Sequence, residues 1–241
     1  MRAVVLAGGK GRRLLPYTTV IPKPLMPVGG RPILEVIIRQ LKFNGFSRVT
    51  MAVGYLAELI EAYFGDGKKY GMEIDYSREE EPLGTIGSLS LIEGLDETFI
   101  VMNGDVLTNL DYGELVGFHN KHKVAATIAT CNREVNIDLG ILELDGDHQI
   151  TDYIEKPTLK HHVSMGVYAF EPEILDLIEP GKYLDFPDLV LTLIRAGKRV
   201  MAFPFDGYWL DIGRHEDYAQ ALEEFETLEE FGTLKEKLNI D

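Results

Sequence analysis

Glycines and cationic side chains are crowded into a short segment near the amino terminus. The segment Leu6–Leu14 reads LAGGKGRRL, and Lys23 follows between two prolines. A glycine-rich turn after a strand lets backbone N–H groups approach phosphate oxygens. A plain tight turn would also account for the glycines. The neighbouring Lys and Arg side chains favour the binding of a small polyanion.

Two familiar phosphate-binding patterns do not fit this loop. A dinucleotide fingerprint G-x-G-x-x-G that starts at Gly9 would need glycine at position 14, where the chain has Leu14. The pattern G-x-x-x-x-G-K-[ST] occurs nowhere in the sequence. If this loop binds phosphate, it therefore belongs to a different phosphate-binding motif.

Two aspartates follow apolar runs at distant points of the chain. Asp105 ends the sequence Met102-Asn103-Gly104-Asp105, and Asp211 lies in the segment Tyr208–Gly213. Open α/β sheets place their ligands at the carboxyl ends of parallel strands, and Mg²⁺ prefers one or two carboxylates together with substrate phosphates. An Asx turn and a helix N-cap are the structural alternatives. The two aspartates predict a metal site only if the fold brings them together.

Composition and charge narrow the classes of function. The chain of 241 residues has 24 Lys and Arg against 39 Asp and Glu, a net charge of −15, which argues against nonspecific binding to nucleic acid or to an anionic membrane. Residues 1–50 nevertheless hold nine basic residues and a single acid, Glu35. The lone Cys131 and the absence of an apolar stretch of roughly 20 residues predict a cytoplasmic protein without disulfides.

Strand-like and helix-like segments alternate through the first half of the chain. The predicted order is strand Arg2–Ala7, a helix from Pro32 that stops at Gly45, strand Arg48–Val53, helix Ala57–Phe64, strand Met72–Tyr76, helix Thr85–Leu95, strand Thr98–Met102 and helix Tyr112–His122. This alternation predicts an α/β fold with a mostly parallel sheet and helices on both of its faces.

Strands dominate the second half, which is therefore expected to add antiparallel pairing. The predicted strands are Val124–Thr130, Leu139–Leu144, Gln149–Ile154, Ser164–Phe170, Val200–Phe205 and Tyr208–Leu210, and the predicted helices are Ile174–Ile178, Phe186–Ala196 and Glu216–Phe225. Because no linker separates the halves, we expect residues 1–241 to form one domain with a mixed sheet.

Taken together, these segments resemble the sugar-1-phosphate nucleotidylyltransferases, which make NDP-sugars from a nucleoside triphosphate and a sugar 1-phosphate. The resemblance covers nearly the whole chain and implies a Rossmann-like α/β nucleotidyltransferase fold with a mixed central sheet. Its motifs are L-A-G-G-x-G-[TS]-R-L at Leu6–Leu14, P-K-P-L-x-P-V at Pro22–Val28, the base-binding segment Glu81–Gly87, Asn103-Gly104-Asp105, Glu155-Lys156-Pro157 and Trp209-Leu210-Asp211-Ile212-Gly213.

The resemblance also implies roles for individual residues. Arg13, Lys23 and Asp105 would be catalytic, and Asp105 and Asp211 would hold Mg²⁺, the expected cofactor. The nucleotide would contact Leu6, Ala7, Gly8, Gly9, Gly11, Glu81, Pro82, Gly84 and Thr85, and the sugar phosphate would contact Gly140, Glu155, Lys156 and Ser164. The expected partners are the two substrates, with neither nucleic acid nor membrane, while a homo-oligomer is left open.

Three features depart from the family pattern. Arg12 stands where relatives have Thr or Ser, and Ser164-Met165-Gly166 stands where many have Asn-Ala-Gly beside the sugar. The chain is also too short for the domains that some relatives append, so we expect a bare catalytic domain.

The base is predicted from the glutamates of the segment Glu79–Thr85, which is most similar to the mannose-1-phosphate guanylyltransferases. A carboxylate can accept hydrogen bonds from guanine N1–H and N2–H₂ together, whereas the N3–H of uracil or thymine lies between two carbonyls that would repel it. Glutamates that simply face water are the alternative. Uridylyl, thymidylyl or cytidylyl transfer and a non-catalytic NDP-sugar sensor also remain open, and the sugar is not predicted.

Overall fold

Strands and helices from both halves of the chain build the fold. The structure is a computed structural model that describes residues 1–227 and Leu238. The strands are β1 (Arg2–Ala7), β2 (Pro27–Val28), β3 (Arg31–Pro32), β4 (Arg48–Val53), β5 (Glu73–Arg78), β6 (Phe99–Asn103), β7 (Val106–Thr108), β8 (Ala126–Asn136), β9 (Ile141–Leu144), β10 (Ile150–Ile154), β11 (Thr158–Phe170), β12 (Val200–Pro204) and β13 (Trp209–Asp211). The helices are α1 (Ile33–Phe43), α2 (Ala57–Phe64), α3 (Gly84–Gly87), α4 (Tyr112–His122), α5 (Phe186–Arg195) and α6 (His215–Thr227).

Seven of these strands form the central sheet, in the order β12-β8-β11-β6-β1-β4-β5. The pairs β12–β8, β6–β1, β1–β4 and β4–β5 are parallel, whereas β11 runs antiparallel to both β8 and β6. The predicted mixed and mostly parallel sheet is therefore confirmed. The antiparallel pairs involve strands of the second half, as the sequence predicted.

Apolar side chains alternate between the two faces of the sheet. In β1, Ala3 and Val5 pack with helices α1, α2 and α4, while Val4 belongs to a second core on the opposite face with α3 and α5. This period-two pattern buries both faces of the strand, which explains its continuous run of apolar residues. The helices on both faces agree with the predicted architecture. Within the described residues, no helix is both long enough and apolar enough to cross a bilayer.

Strands β8 and β11 extend farther than the sequence predicted. Beyond the central sheet they continue to pair from Cys131↔Val163 to Asn136↔Thr158, and β9 and β10 form a small antiparallel sheet of their own. These extensions are exposed, so polar and charged residues can occupy them. Cross-strand pairs such as Lys160–Glu134, 2.8 Å apart, stabilise the pairing there in place of buried apolar contacts. We call residues 131–163 the arm.

The predicted helix Thr85–Leu95 is wrong in kind and length. The chain forms the single turn α3 and then a 3-10 helix at Ser88–Leu91. Gly84 has φ of +78°, outside the helical region, so the helix does not extend toward the amino terminus. Glycine and serine are poor helix formers, and Gly87 and Ser88 therefore do not favour its continuation as an α-helix. The predicted helix Ile174–Ile178 is likewise a 3-10 helix, Pro172–Leu177, because the segment is too short for stable α-helix.

A buried carboxylate fixes helix α1 to its neighbours. Glu35 is 4% exposed and accepts hydrogen bonds from Arg31 (3.0 Å), Arg39 (2.9 Å) and the Tyr63 hydroxyl (2.6 Å). Burial alone would raise the pKa of the Glu35 carboxyl, but the hydrogen bonds from Tyr63 and Arg39 outweigh it and lower the pKa. The single acid of the first fifty residues therefore has a structural role.

We predict that Glu35→Ala lowers the free energy of unfolding by about 3 kcal/mol, because it leaves two partly buried guanidinium groups without their shared partner. Glu58→Ala is the matched control, since the Glu58–Arg78 pair is mostly exposed and should contribute well under about 1 kcal/mol. Urea denaturation of the three proteins measures both values. Equal losses for the two variants would contradict the prediction.

Candidate active site

A cleft of about 840 Å³ opens where strands β1 and β6 end. The two strands are parallel neighbours, so the loops that follow them meet at the same edge of the sheet, and the Gly104 N–H donates to the Leu6 carbonyl at 2.9 Å. All of the residues predicted to bind nucleotide or to catalyse line this cleft: Leu6, Ala7, Gly8, Gly9, Gly11, Arg13, Lys23, Glu81, Pro82, Gly84, Thr85 and Asp105.

The glycine-rich loop has a defined backbone shape. Gly11 adopts φ of +59°, and its carbonyl accepts hydrogen bonds from Leu14 N–H and from the Thr18 hydroxyl, both at 2.9 Å. A Cβ at Gly11 would lie 2.8 Å from Thr18 Cγ2, so glycine is required for both conformation and space. A Cβ at Gly9 would meet nothing within 4 Å, so the backbone there faces open space.

Lys23 and Asp105 form an ion pair beneath the loop. Lys23 is 8% exposed, and its Nζ contacts Asp105 Oδ2. The other carboxylate oxygen, Asp105 Oδ1, is buried without a hydrogen-bond partner. Burial of a charged oxygen without a hydrogen-bond donor costs free energy, so Asp105 Oδ1 is available to interact with a ligand.

Asp211 lies beside Asp105 although 106 positions separate them. Strand β13 pairs with β7 so that Asp211 is opposite Val106, and the Ile212 N–H donates to the Asp105 carbonyl at 3.2 Å. Burial first, and then the charge of Asp105, raise the pKa of Asp211, while Lys23 and Arg13 oppose this shift. The fold therefore brings Asp105 and Asp211 together, which is the condition on which the predicted metal site depends.

Arg13 lies against the loop that follows Asp211. A Cβ at Gly213 would lie 3.1 Å from Arg13 Nη1 and 3.2 Å from Nη2. Glycine at this position leaves room for the guanidinium. The positive charge of Arg13 partly offsets the repulsion between the Asp105 and Asp211 carboxylates. Arg12 also lines the cleft, and both arginines are exposed.

This donor set fits Mg²⁺. Two adjacent carboxylates, one of them with an unsatisfied buried oxygen, can supply the few protein ligands that Mg²⁺ uses when substrate phosphates complete its shell. Within the described residues, no group of three or more acidic, histidine or cysteine side chains forms a closed metal cage.

The glutamate run lies along another wall of the cleft. Glu79 is half-buried, its Oε2 accepts the Leu83 N–H at 3.1 Å, and its Oε1 lies against the backbone of Gly8 and Gly54. Glu80 and Glu81 are exposed. The run therefore has one carboxylate held inside the cleft and two at its rim.

The predicted sugar-side residues lie apart from this lining. Gly140 and Glu155 are both beside Tyr153 in the arm, and the Tyr153 hydroxyl donates to Glu155 at 2.8 Å. Lys156 is exposed in the same arm with φ of +44°. Ser164 is nearer to the aspartates, since its hydroxyl contacts the Tyr168 hydroxyl at 3.3 Å and the charges of Asp105 and Asp211 affect the Tyr168 pKa.

Several cleft residues were missed by the sequence analysis, among them Tyr55, Tyr183 and Asp185. Tyr55 lines the cleft after β4, and Tyr183 and Asp185 reach it from the segment before α5. Asp185 precedes an apolar helical pattern, which predicts a helix cap. No spacing signal connects it to the nucleotide loop, so only the tertiary fold shows this placement.

The chain is similar in sequence to known proteins. The nucleotidyl transferase family model matches residues 2–227. A UTP–glucose-1-phosphate uridylyltransferase of Synechocystis is 36% identical over 242 aligned positions, and a mannose-1-phosphate guanyltransferase of Candida albicans is 33% identical over 227. The alignments cover 92% and 90% of this chain but only 62% of each relative, so the chain spans less than two thirds of their length.

Solved structures share the fold. HddC from Yersinia pseudotuberculosis matches with a TM-score of 0.70 and 29% identity, covering 93% of this chain and 99% of that one, and a further structure of HddC contains GMP-PN. A Bacillus anthracis protein matches with a TM-score of 0.78 at 22% identity, covering 96% and 99% of the two chains.

We predict that Asp211→Asn melts at a higher temperature than the wild type when divalent metal is chelated. The raised pKa means that folding disfavours ionisation of Asp211, so at neutral pH its charge costs stability, and this cost disappears as pH falls through that pKa. Added Mg²⁺ should raise the melting temperature of the wild type but much less that of Asp211→Asn.

The exposed Asp206→Asn serves as the control in the same melting experiment and should behave as the wild type. Equal Mg²⁺ shifts in all three proteins would contradict a metal site at Asp211.

Proposed function

The chain belongs to the nucleotidyl transferase family, and we propose that it transfers a nucleoside monophosphate from a nucleoside triphosphate to a sugar 1-phosphate. The glycine-rich loop, Lys23 and Asp105 line one cleft, and Asp211 lies beside Asp105; this convergence carries the proposal. A phosphate oxygen of the sugar would attack the α-phosphorus. The bond from that phosphorus to the β-phosphate oxygen breaks, and pyrophosphate leaves with the electron pair.

Charge neutralisation is the main chemical demand of this reaction. The attacking phosphate is already an anion at neutral pH, so no general base is needed, but two anions must approach each other. We assign the backbone of Gly8, Gly9 and Gly11 to the triphosphate, Arg13 to the departing pyrophosphate and Lys23 to the reacting phosphates. Asp105 and Asp211 would hold Mg²⁺, which supplies Lewis-acid neutralisation of the phosphate oxygens.

The sugar phosphate would lie between this centre and the arm. We propose that Lys156 contacts its phosphate and that Glu155 and the Gly140 backbone contact sugar hydroxyls. Ser164, which lies near the aspartates through the Tyr168 hydroxyl, would face the sugar in place of the family's asparagine. Residues 1–241 would act as one cytoplasmic catalytic domain, although 228–237 and 239–241 lie outside the described residues.

Guanine is the base that we propose. The half-buried carboxylate of Glu79 is the glutamate of the run that is fixed inside the cleft, where it can accept from N1–H and N2–H₂. Several relatives are named guanylyltransferases, and HddC was solved with a guanine nucleotide analogue. The Synechocystis relative is named for UTP, so uridylyl transfer is the strongest alternative base specificity, ahead of thymidylyl and cytidylyl transfer.

A non-catalytic sensor of NDP-sugars is the alternative from another class. Such a subunit can lose the charged groups that act only on the reacting phosphates. All four charged residues are present: Arg13, Lys23 and Asp105 line the cleft, and Asp211 lies beside Asp105, which favours an enzyme.

One assay tests the proposed function. The purified protein is given Mg²⁺, each nucleoside triphosphate in turn and a panel of sugar 1-phosphates, and pyrophosphate release is followed. Release that requires both substrates supports the proposal. A protein that binds nucleotide but releases no pyrophosphate with any pair would instead support the sensor.

We predict that Arg13→Ala reduces turnover by roughly two or more orders of magnitude, the scale of losing one charge-stabilising donor. Arg12→Thr restores the usual family residue and should keep near-normal turnover. Steady-state pyrophosphate release compares the two variants. A near-normal Arg13→Ala with an inactive Arg12→Thr would exchange the roles of these arginines.

We predict that the protein uses GTP better than ITP, which lacks the 2-amino group, and uses both better than UTP. Loss of one hydrogen bond to a charged acceptor costs about 1.5–3 kcal/mol, so kcat/KM with ITP should fall roughly ten- to hundredfold. Glu79→Gln should shrink the GTP-to-UTP ratio, because Gln offers a donor as well as an acceptor. Equal use of GTP and UTP by the wild type would remove the carboxylate argument while leaving nucleotidyl transfer intact.

A further inference from the structure

The segment Lys182–Phe186 lies directly against the nucleotide-binding segment Leu83–Gly87. The Leu184 N–H donates to the Leu83 carbonyl at 2.9 Å, and the Leu184 carbonyl accepts from Ile86 N–H at 3.0 Å. A Cβ at Gly84 would lie 2.6 Å from the Leu184 carbonyl oxygen. Backbone contact of this kind joins the first half of the chain to the second at one wall of the cleft.

The side chain of Asp185 bonds across this junction. Its Oδ1 accepts the Thr85 N–H at 3.1 Å and lies 3.3 Å from the Thr85 hydroxyl, and its Oδ2 accepts the Tyr183 hydroxyl at 2.6 Å. The Thr85 hydroxyl oxygen in turn accepts the Phe186 N–H at 2.8 Å. Tyr183, Asp185 and Thr85 all line the cleft.

Capping of helix α5 does not explain this carboxylate. Asp185 is at the position immediately before the helix, where an aspartate commonly accepts a hydrogen bond from the first turn, yet its side chain makes no such bond. Its hydrogen bonds instead go to Thr85 and Tyr183 at the cleft wall. The Tyr183 hydrogen bond is the main cause that lowers the pKa of Asp185, so the acceptor stays ionised at neutral pH.

We infer that Asp185 is a positioning residue for the nucleotide, which it serves by fixing Thr85 in the cleft wall and Tyr183 at the rim. This inference rests on the proposed function, because it takes the nucleoside triphosphate as the ligand of Glu81–Thr85. Thr85 and the turn before it are ordered before substrate binds, so the binding free energy is not reduced by the entropy of ordering them.

The inference predicts an effect on one substrate only. Without the carboxylate, the Thr85 N–H loses its acceptor and the turn has to be ordered by the nucleotide. The affinity for nucleotide should therefore fall, while the sugar phosphate, assigned to the space between the aspartates and the arm, should bind as before. A merely structural role would instead lower the fraction of folded protein and leave KM unchanged for both substrates.

The test compares Asp185→Ala, Asp185→Asn and Tyr183→Phe, with Asp188→Ala as the control acid in the first turn of α5. Calorimetry with GTP, UTP, dTTP and CTP in turn, in Mg²⁺ and without sugar, measures nucleotide binding. Asp185→Ala should weaken the binding of the preferred nucleotide about ten- to hundredfold and raise its KM in parallel, with kcat, the sugar-phosphate KM and the melting temperature unchanged.

The conservative variants separate positioning from folding. Asp185→Asn should recover most of the affinity, because its oxygen can still accept the Thr85 N–H and its amide can donate to the Tyr183 oxygen. Tyr183→Phe removes one exposed hydrogen bond and should weaken nucleotide binding about two- to tenfold without a change in melting temperature.

Unchanged nucleotide affinity in Tyr183→Phe and in a folded Asp185→Ala would overturn the inference, as would equal increases in KM for both substrates. If none of GTP, UTP, dTTP and CTP binds the wild type, the proposed function fails along with the inference. Normal binding to the wild type with no loss in the variants rejects only the role of Asp185.

Discussion

Electrostatic repulsion is the constraint on which the arrangement of this molecule depends. Under the proposed function, a protein with a net charge of −15 would have to admit a phosphate-rich ligand, and its basic residues are concentrated in its first fifty positions. Lys23 is buried against Asp105, and Arg13 lies against Gly213, next to Asp211. These contacts allow two carboxylates to remain next to each other, although burial and mutual repulsion oppose their ionisation. Phosphates and a divalent cation would complete this balance of charges.

The fold meets this constraint with strand pairing. Parallel neighbours β1 and β6 place the glycine-rich loop beside Asp105, and the β7–β13 pair adds Asp211 from the other half of the chain. A second set of contacts connects Thr85 to Ser164. The Phe186 N–H donates to the Thr85 hydroxyl, the Phe186 ring stacks on Tyr168 with ring centroids 3.7 Å apart, and the Tyr168 hydroxyl contacts the Ser164 hydroxyl. The cleft wall at Thr85 is thus connected to Ser164 through packed side chains.

Sequence patterns predicted the parts of this site that are local in the chain. The strand Arg2–Ala7, the glycine-rich loop after it and Asp105 at a strand end were all visible as continuous motifs, and the structure places them together. The contact between Asp105 and Asp211 could be stated only as a condition, because it depends on the pairing of two three-residue strands. The bonds from Asp185 to Thr85 span 100 positions and have no sequence signature. The apolar spacing that predicted helix Thr85–Leu95 gave no sign of the tertiary packing at Gly87, where a Cβ would lie 2.5 Å from the Lys182 carbonyl oxygen.

The central claim is that Asp105 and Asp211 act as one metal-binding unit, and a double-mutant cycle tests it most directly. Turnover would be measured as pyrophosphate release for the wild type, Asp105→Asn, Asp211→Asn and the double variant at saturating substrates. Residues that serve one metal ion are strongly non-additive, so each single variant should lose most of its activity and the double variant should be little worse than the poorer single one. Near-normal turnover in either single variant, or losses that multiply in the double variant, would contradict the shared metal site.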